Sequence, residues 1–577
     1  MSAMNRNRTM RPIAVAGALF VMLLLGIHIE GICAEPAKPA LSPQEQFRLG
    51  ERMYREGILP SGAPMQALVK GDIPVSGTAF SCVSCHMLSG LGSVEGGVFT
   101  TPTNGRTLYQ PRDLPGAGNN RNNAMNMTTV KSGAAPNQPP QARPAYSDHT
   151  LAEVLRWGRD PAGRELDMVM PRYQLQDSDM AIMVSYLKEL ANDYSPGVDK
   201  YAIHFATVIA GEVPAEQVAA MMEPLESFVK SANKQQEDFE AQRVKLREFA
   251  MEPTYRRVKL SRWLLKGDPN TWRSQLDDYY RKEPVFALIA GISLSDWRPV
   301  HEFCEVNKIP AILPDTDFPV VSANDRYTLY FSKGYYQEGE AAARYLPSQD
   351  RSLQGKKIVQ VISDTPAGRA IAEGFSRTLE GQGLPAPVTI RQPDAAPFTT
   401  RSMQLLIEKE KPDLLALWTG AETLRQMGAI AATGQALPTL MVSAGYLGKD
   451  LWTIPEQLRD STYITYPYRL PQDDARYERF LTPADKNMKM SPEIRVSKSR
   501  VYSTLKVMTQ ALREMKGNFY RDYLFDVIGM KGDIEFPLYE RLSFGPDQRY
   551  AAKGCYIVQL AKGKEAELIK KSEWVIH

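Results

Sequence analysis

Two thiols three residues apart with an imidazole directly behind them, Cys82-Val83-Ser84-Cys85-His86, are the residues of this 577-residue chain that most directly specify chemistry. On one turn of helix, thiols at i and i+3 reach the two vinyl groups of a single porphyrin, and the adjacent histidine meets its iron. The pattern predicts one covalently attached haem c, held by Cys82 and Cys85 with His86 on the iron. A Cys-x-x-Cys pair alone would serve as a dithiol redox couple or as half a zinc site. Zinc needs further ligands at suitable spacing, and none of the remaining three cysteines and five histidines lies nearby.

The second axial ligand decides what such an iron does. A thioether closes the coordination shell, raises the potential and favours electron transfer over oxygen or peroxide chemistry. The segment from Gly163 to Tyr173 holds two methionines, Met168 and Met170, and Met170 precedes Pro171. Asp177-Ser178-Asp179-Met180 and then Tyr186-Leu187 follow. Here the chain resembles the small class I cytochromes c, whose axial methionine commonly precedes a proline and whose last helix ends in a Tyr-Leu pair. The resemblance implies Met170 as the second iron ligand, with Met168 as runner-up; Met125, Met127 and His149 are weaker candidates, and core packing is the bland alternative for both methionines. Gly50 and Tyr54 match the family's Gly-x-x-x-aromatic pattern, in which glycine lets the first helix cross the last closely. Pro102, with Gly105, loosely matches the family's proline segment, whose carbonyl orients the proximal imidazole. The resemblance covers residues 40–192.

The elements that must position these groups are partly readable. Ser42-Pro43-Gln44-Glu45 reads as a capped helix start, with the helix running to about Glu56. Helical pattern returns at 149–157 and 178–190. Residues 101–148, rich in Pro, Asn, Gly and Thr, read as a long surface loop, and 193–200 as a linker. At the N-terminus, Arg6, Arg8 and Arg11 precede an apolar run from Ile13 to Ile27, with Ala34 before a cleavage point. This predicts a signal peptide over 1–34 and a periplasmic protein. The alternative is an uncleaved membrane anchor, the only expected tie to a membrane. A net charge of +3 without basic runs gives no reason to expect a nucleic-acid partner. Cys304 and Cys555 either pair in that oxidising compartment or stay as buried thiols.

From residue 201 to 577 short apolar strands alternate with amphipathic helices, which predicts parallel sheets covered on both faces. Expected strands include 203–210, 258–265, 285–290, 309–313, 357–362, 414–417 and 439–442. This half resembles the type I periplasmic-binding fold of leucine/isoleucine/valine-binding proteins of ABC transporters. The likeness rests on Trp263–Pro269, Val285–Gly291, Lys308–Ile312, Tyr327–Phe331, Lys357–Gly368 and Gly554–Leu560. The fold class expected is therefore multidomain, an all-α cytochrome c domain followed by an α/β domain of two lobes. In such folds a ligand sits between the lobes at the carboxyl ends of the strands. Strand ends place Ser293, Ser295, Asp315 and Thr316 there in the first lobe, and Asp364, Thr365, Thr419, Glu422 and Ser443 in the second. A serine or aspartate after a strand is also an ordinary helix cap. No nucleophile–base pair is readable, so no enzyme is expected. The reading is a periplasmic electron-transfer cytochrome that meets a redox partner protein. Its attached domain binds a small molecule, such as an amino acid or other small organic solute, and modulates or localises it. The alternative is a solute receptor for transport or sensing with an accessory haem domain.

Overall fold

The computed structural model describes residues 41–95, 98–112, 142–246, 256–349, 355–392, 398–474, 491–536, 538–546, 548–563 and 567–576. The expected signal segment, Met125 and Met127 lie outside them. Among the described residues no helix is long and apolar enough to cross a membrane.

The first domain is built on three helices. Helix α1 (Pro43–Glu56) starts as its sequence dictates: the Ser42 hydroxyl accepts the Glu45 N–H at 3.2 Å, and Gly57 ends it at φ 69°. Strands β1 (Gln66–Val69) and β2 (Ile73–Ser76) form a hairpin. The haem motif then occupies a single helical turn, α2 (Val83–His86). A β3–β4 ribbon (Val94–Glu95, Val98–Phe99) and the turn α3 (Gly105–Leu108) lead to α4 (Asp148–Trp157). Strand β5 (Arg172–Tyr173) adds to β1, so a three-stranded sheet supplements the helices before α5 (Asp177–Glu189).

Helix α1 crosses α5 at Gly50, where an added Cβ would lie 2.4 Å from the Tyr186 Cβ. Gly50→Ala is therefore expected to destabilise this domain by about 1–3 kcal/mol, because the packed crossing has no room to relax. Chemical unfolding followed in this domain would check it, and an unchanged midpoint would refute the tight crossing.

The second domain has two lobes. In the first, the strand order is β11-β10-β8-β6-β7: Thr328–Leu329, Ala311–Ile312, Ala287–Ile289, Ala202–Ala210 and Arg257–Leu265, all parallel, with β9 (Ile292–Ser293) also beside β6. Helices α6 (Ala215–Leu246), α7 (Trp272–Lys282) and α8 (Arg298–Asn307) connect them. After β11 the chain crosses to the second lobe through α9 (Tyr335–Gln349). There the parallel set is β13 (Val388–Gln392), β12 (Ile358–Ser363), β14 (Leu414–Trp418), β15 (Thr439–Ser443) and β16 (Thr462–Tyr466), alternating with α10 (Pro366–Gly381), α11 (Thr400–Glu410) and α12 (Ala421–Ala432). The chain then returns to the first lobe with α13 (Pro492–Met515) and α14 (Arg521–Gly529), whose Val501, Met508, Leu524 and Ile528 join its core. It crosses once more to add antiparallel β17 (Gly554–Leu560), β18 (Leu568–Lys570) and β19 (Val575–Ile576) to the second sheet. Cys304 and Cys555 are both free and buried, in the cores of opposite lobes.

Candidate functional site: a haem-attachment turn and an interlobe cleft

Helix α2 leaves Cys82 buried and Cys85 exposed. His86 is buried, and its Nδ1 donates to the Thr101 carbonyl at 2.9 Å. That bond fixes the tautomer, so Nε2 is the free nitrogen; it is buried and has no hydrogen-bond partner in the protein. The orienting carbonyl thus belongs to Thr101, one residue before Pro102. Burial pushes the His86 imidazole down to about 4, opposed by the bond to Thr101, which leaves the neutral form that binds metal. Burial likewise pushes the Cys82 thiol up to about 12.

The residue after the histidine is strained. Met87 has φ 66° and ψ 173°, a region that belongs almost entirely to glycine. The buried Tyr54 on α1 donates its hydroxyl to the Met87 carbonyl at 2.8 Å, so the Gly-x-x-x-aromatic pattern has a second use: the tyrosine holds the haem turn.

Met170 is partly buried against the core that contains Cys82 and Tyr173, whereas Met168 is 61% exposed. Arg172 straps the methionine loop, donating to the carbonyls of Met170 at 2.6 Å and Leu166 at 2.8 Å. The Tyr173 hydroxyl donates to the Phe80 carbonyl at 2.8 Å and lies 3.9 Å from the Cys82 sulfur, which ties the methionine side to the cysteine side. Thr101 and Arg172 carried no signal beyond their nearness to the motifs. His149 sits on the exposed face of α4 beside Glu153, away from this core. Two thiols, an aimed and unpartnered imidazole nitrogen and a half-buried thioether are a donor set that fits a haem c.

In the binding domain the expected residues do stand at strand ends, but most are engaged by the protein itself. Ser293 and Ser295 bond to each other at 3.2 Å. Asp315 is buried against Arg500 Nη1 and the Ser497 hydroxyl, both at 2.6 Å, and Arg500 Nη2 reaches Asp317 at 2.7 Å. Thr316 accepts the Phe318 N–H. Asp364 is half exposed beside Arg369, and Glu422 pairs with Arg425 in the first turn of α12. Thr365 caps α10 and meets the Tyr446 hydroxyl at 3.1 Å. Thr419 is buried with its hydroxyl unpartnered. Tyr335, ring to ring with Phe318 at 5.4 Å, lies in the field of Asp317 and Arg500 from the first lobe and of Glu338 and Tyr446 from the second. Phe318 and Arg500, at this meeting of lobes, carried no signal in the sequence.

Ser443 donates to Glu338 Oε2 at 2.8 Å, as does Thr465 at 2.7 Å. Burial pushes the Glu338 carboxyl up to about 7 against the pull of these hydroxyls. The folded chain then binds more protons than the unfolded one between about 4.5 and 7; this stabilisation is full below 4.5 and is lost as pH rises through 7. In Glu338→Gln, unfolding free energy is expected to fall by about 3 kcal/mol less across that window than in wild type. Parallel urea-unfolding profiles for the two proteins would contradict it.

Fold and site together define a two-lobed periplasmic-binding domain with a cytochrome c domain ahead of it. The periplasmic binding protein model matches residues 265–565, and the chain belongs to that family; the cytochrome c model matches residues 78–191. Among solved structures, an ABC transporter substrate-binding protein from Sphaerobacter thermophilus is similar at 15% identity and TM-score 0.47, over 65% of this chain and 98% of that one. A fatty acid ABC transporter substrate-binding protein from Thermomonospora curvata is similar at 14% identity and TM-score 0.44, over 67% and 95%. A leucine-binding protein from Thermotoga maritima stands at 13% identity and TM-score 0.43, over 65% and 99%. No curated protein matches.

Proposed function

We propose that this chain is a periplasmic electron carrier and not an enzyme. One haem c is held covalently by Cys82 and Cys85, with His86 and Met170 as axial ligands, and the two lobes bind a small organic solute that modulates or localises electron transfer. The observation that carries the reading is His86: Nδ1 committed to Thr101 and Nε2 buried without a partner, one residue from the second thiol. A haem closed by an imidazole and a thioether supplies a one-electron couple. The chain's own part is to hold the imidazole plane through Thr101, to hold the methionine loop through Arg172, and to leave one edge open. Phe80, Cys85, Met168 and Val169 are exposed and provide that edge for a redox partner protein.

The test is haem content resistant to acidified acetone, followed by the charge-transfer band that a thioether gives ferric haem. Extractable haem, or a spectrum without that band and with peroxide turnover, sinks the electron-carrier reading. A ligand screen by thermal shift on the holo-protein identifies the solute by mass action. If saturating solute leaves both the potential and the electron-transfer rate unchanged, the receptor reading replaces modulation.

A further inference from the structure

The turn that follows His86 is completed by the other domain. The N–H groups of Leu88 and Ser89 point together at one carboxylate, Asp526 on α14, donating to its two oxygens at 3.0 and 2.9 Å. Successive backbone N–H groups converging on one anion form a nest, and both Ser89 and Asp526 are buried. The Leu88 side chain packs on the core of the first lobe. One turn earlier on α14, Asp522 pairs with Arg55 of α1 at 2.8 Å. Beside it Lys308 pairs with Glu51 at 2.6 Å, so α1 meets the lobe through charges of alternating sign.

The other side of α14 is anchored in the sheet. Arg521 Nε donates to the Phe286 carbonyl at 3.0 Å, and its Nη1 to the carbonyls of Asn307 and Lys308 at 3.1 and 3.2 Å. Phe286 is the residue before β8. A nine-residue helix thus holds a lobe-one strand at its first residue and the haem turn at its sixth.

We infer that Asp526 is a positioning residue for the haem turn: it sets the orientation of His86 and with it the reduction potential, so that the first lobe is a working part of the haem site. Met87 supplies the reason such a clamp is needed. Its strained backbone is held on one side by Tyr54, and the next two peptides relax unless their N–H groups are bound. The inference rests on haem attachment at Cys82 and Cys85. Wild-type haem content is therefore read first, which tells a failure of attachment apart from a failure of Asp526 to position the turn.

The experiment uses the full-length holo-protein. Asp526→Asn offers one acceptor oxygen where there were two and turns an amide N–H2 toward a backbone donor. With haem content equal to wild type, its ferric EPR g-values are expected to shift. Its potential is expected to shift with them. Asp522→Asn breaks a docking pair without touching the turn and is expected to keep wild-type g-values. Unchanged g-values and potential in Asp526→Asn overturn the inference; so does an equal shift in Asp522→Asn, which would make the effect one of docking alone. A measurement on the wild type needs no variant: the Leu88 and Ser89 amides should exchange as slowly as those within α14, and exchange at the rate of an exposed loop overturns the clamp.

Discussion

Serine at both Cys82 and Cys85 is expected to give a chain from which acidified acetone removes all haem, where the wild type releases none. The two thiols lie on one helical turn but in different surroundings, Cys82 buried and Cys85 exposed. The single variants should therefore differ. Cys85→Ser keeps a thioether on the buried side, where Tyr173 and the domain core surround the sulfur, and haem stays covalently held. Cys82→Ser leaves only the exposed attachment. His86→Ala acts differently again, since it removes the iron ligand whose orientation Thr101 fixes and leaves a cavity beside the turn. Stability should follow the same order. A tethered haem meets its site at high effective concentration, and the double serine variant forfeits that tether. Equal haem retention in wild type and double variant would remove the basis of the electron-carrier reading.

Arg500→Met is expected to cost the binding domain about 3–5 kcal/mol, because it strands the Asp315 carboxylate in the core. Arg500 lies on α13 and is buried, with Asp315 on one nitrogen, Asp317 on another and the Tyr539 hydroxyl on Nε. Its two carboxylate bonds diverge from a planar fork, a geometry an ammonium cannot copy, so Arg500→Lys should lose most of the same stability. Adding Asp315→Asn to Arg500→Met should recover part of it, since the uncompensated charge is then gone. Urea unfolding of wild type, Arg500→Met, Asp315→Asn and the double variant gives the cycle, and strictly additive losses would show that the pair does not interact. The consequence reaches the cleft. Asp315 also accepts the Ser293 N–H through its backbone carbonyl, so a loosened Asp315 loosens the loop after β9.

Legibility followed the range of the interactions. β6, β7, β14 and β15 fall within one residue of their expected spans; β6, β14 and β15 are largely buried and read as apolar runs, whereas β7 lies at the sheet edge with exposed residues along it. Ser42, with Pro43 behind it, marked its helix for a local reason, a cap. Helix α13 was not legible. It buries Ser497, Ser499, Arg500, Ser503 and Thr504 among its apolar residues, and that mixture erases the 3.6-residue hydrophobic period. The Cys82–His86 pattern is local, and the sequence shows its residues directly. Its orienting carbonyl was misplaced by one residue, from Thr101 to Pro102, because sequence shows a segment but not which peptide plane turns inward. The candidate ligand residues stand at strand ends, yet sequence could not show that Asp315 and Ser443 are already engaged by Arg500 and Glu338. Asp526 had no local signature: a carboxylate on an amphipathic helix becomes an anchor only when the chain closes over 437 residues onto Ser89.

That separation has a bearing on how the protein matures. A chain is made from its N-terminus, and its leading domain folds first. The Cys82–His86 turn emerges long before α14 exists, so during that interval Leu88 and Ser89 have no anion to bind and the strained peptide after His86 is free to relax. Haem inserted in that interval would meet a pliant turn. The finished protein holds a rigid one, and the residue that makes the difference is among the last tenth of the chain to be synthesised.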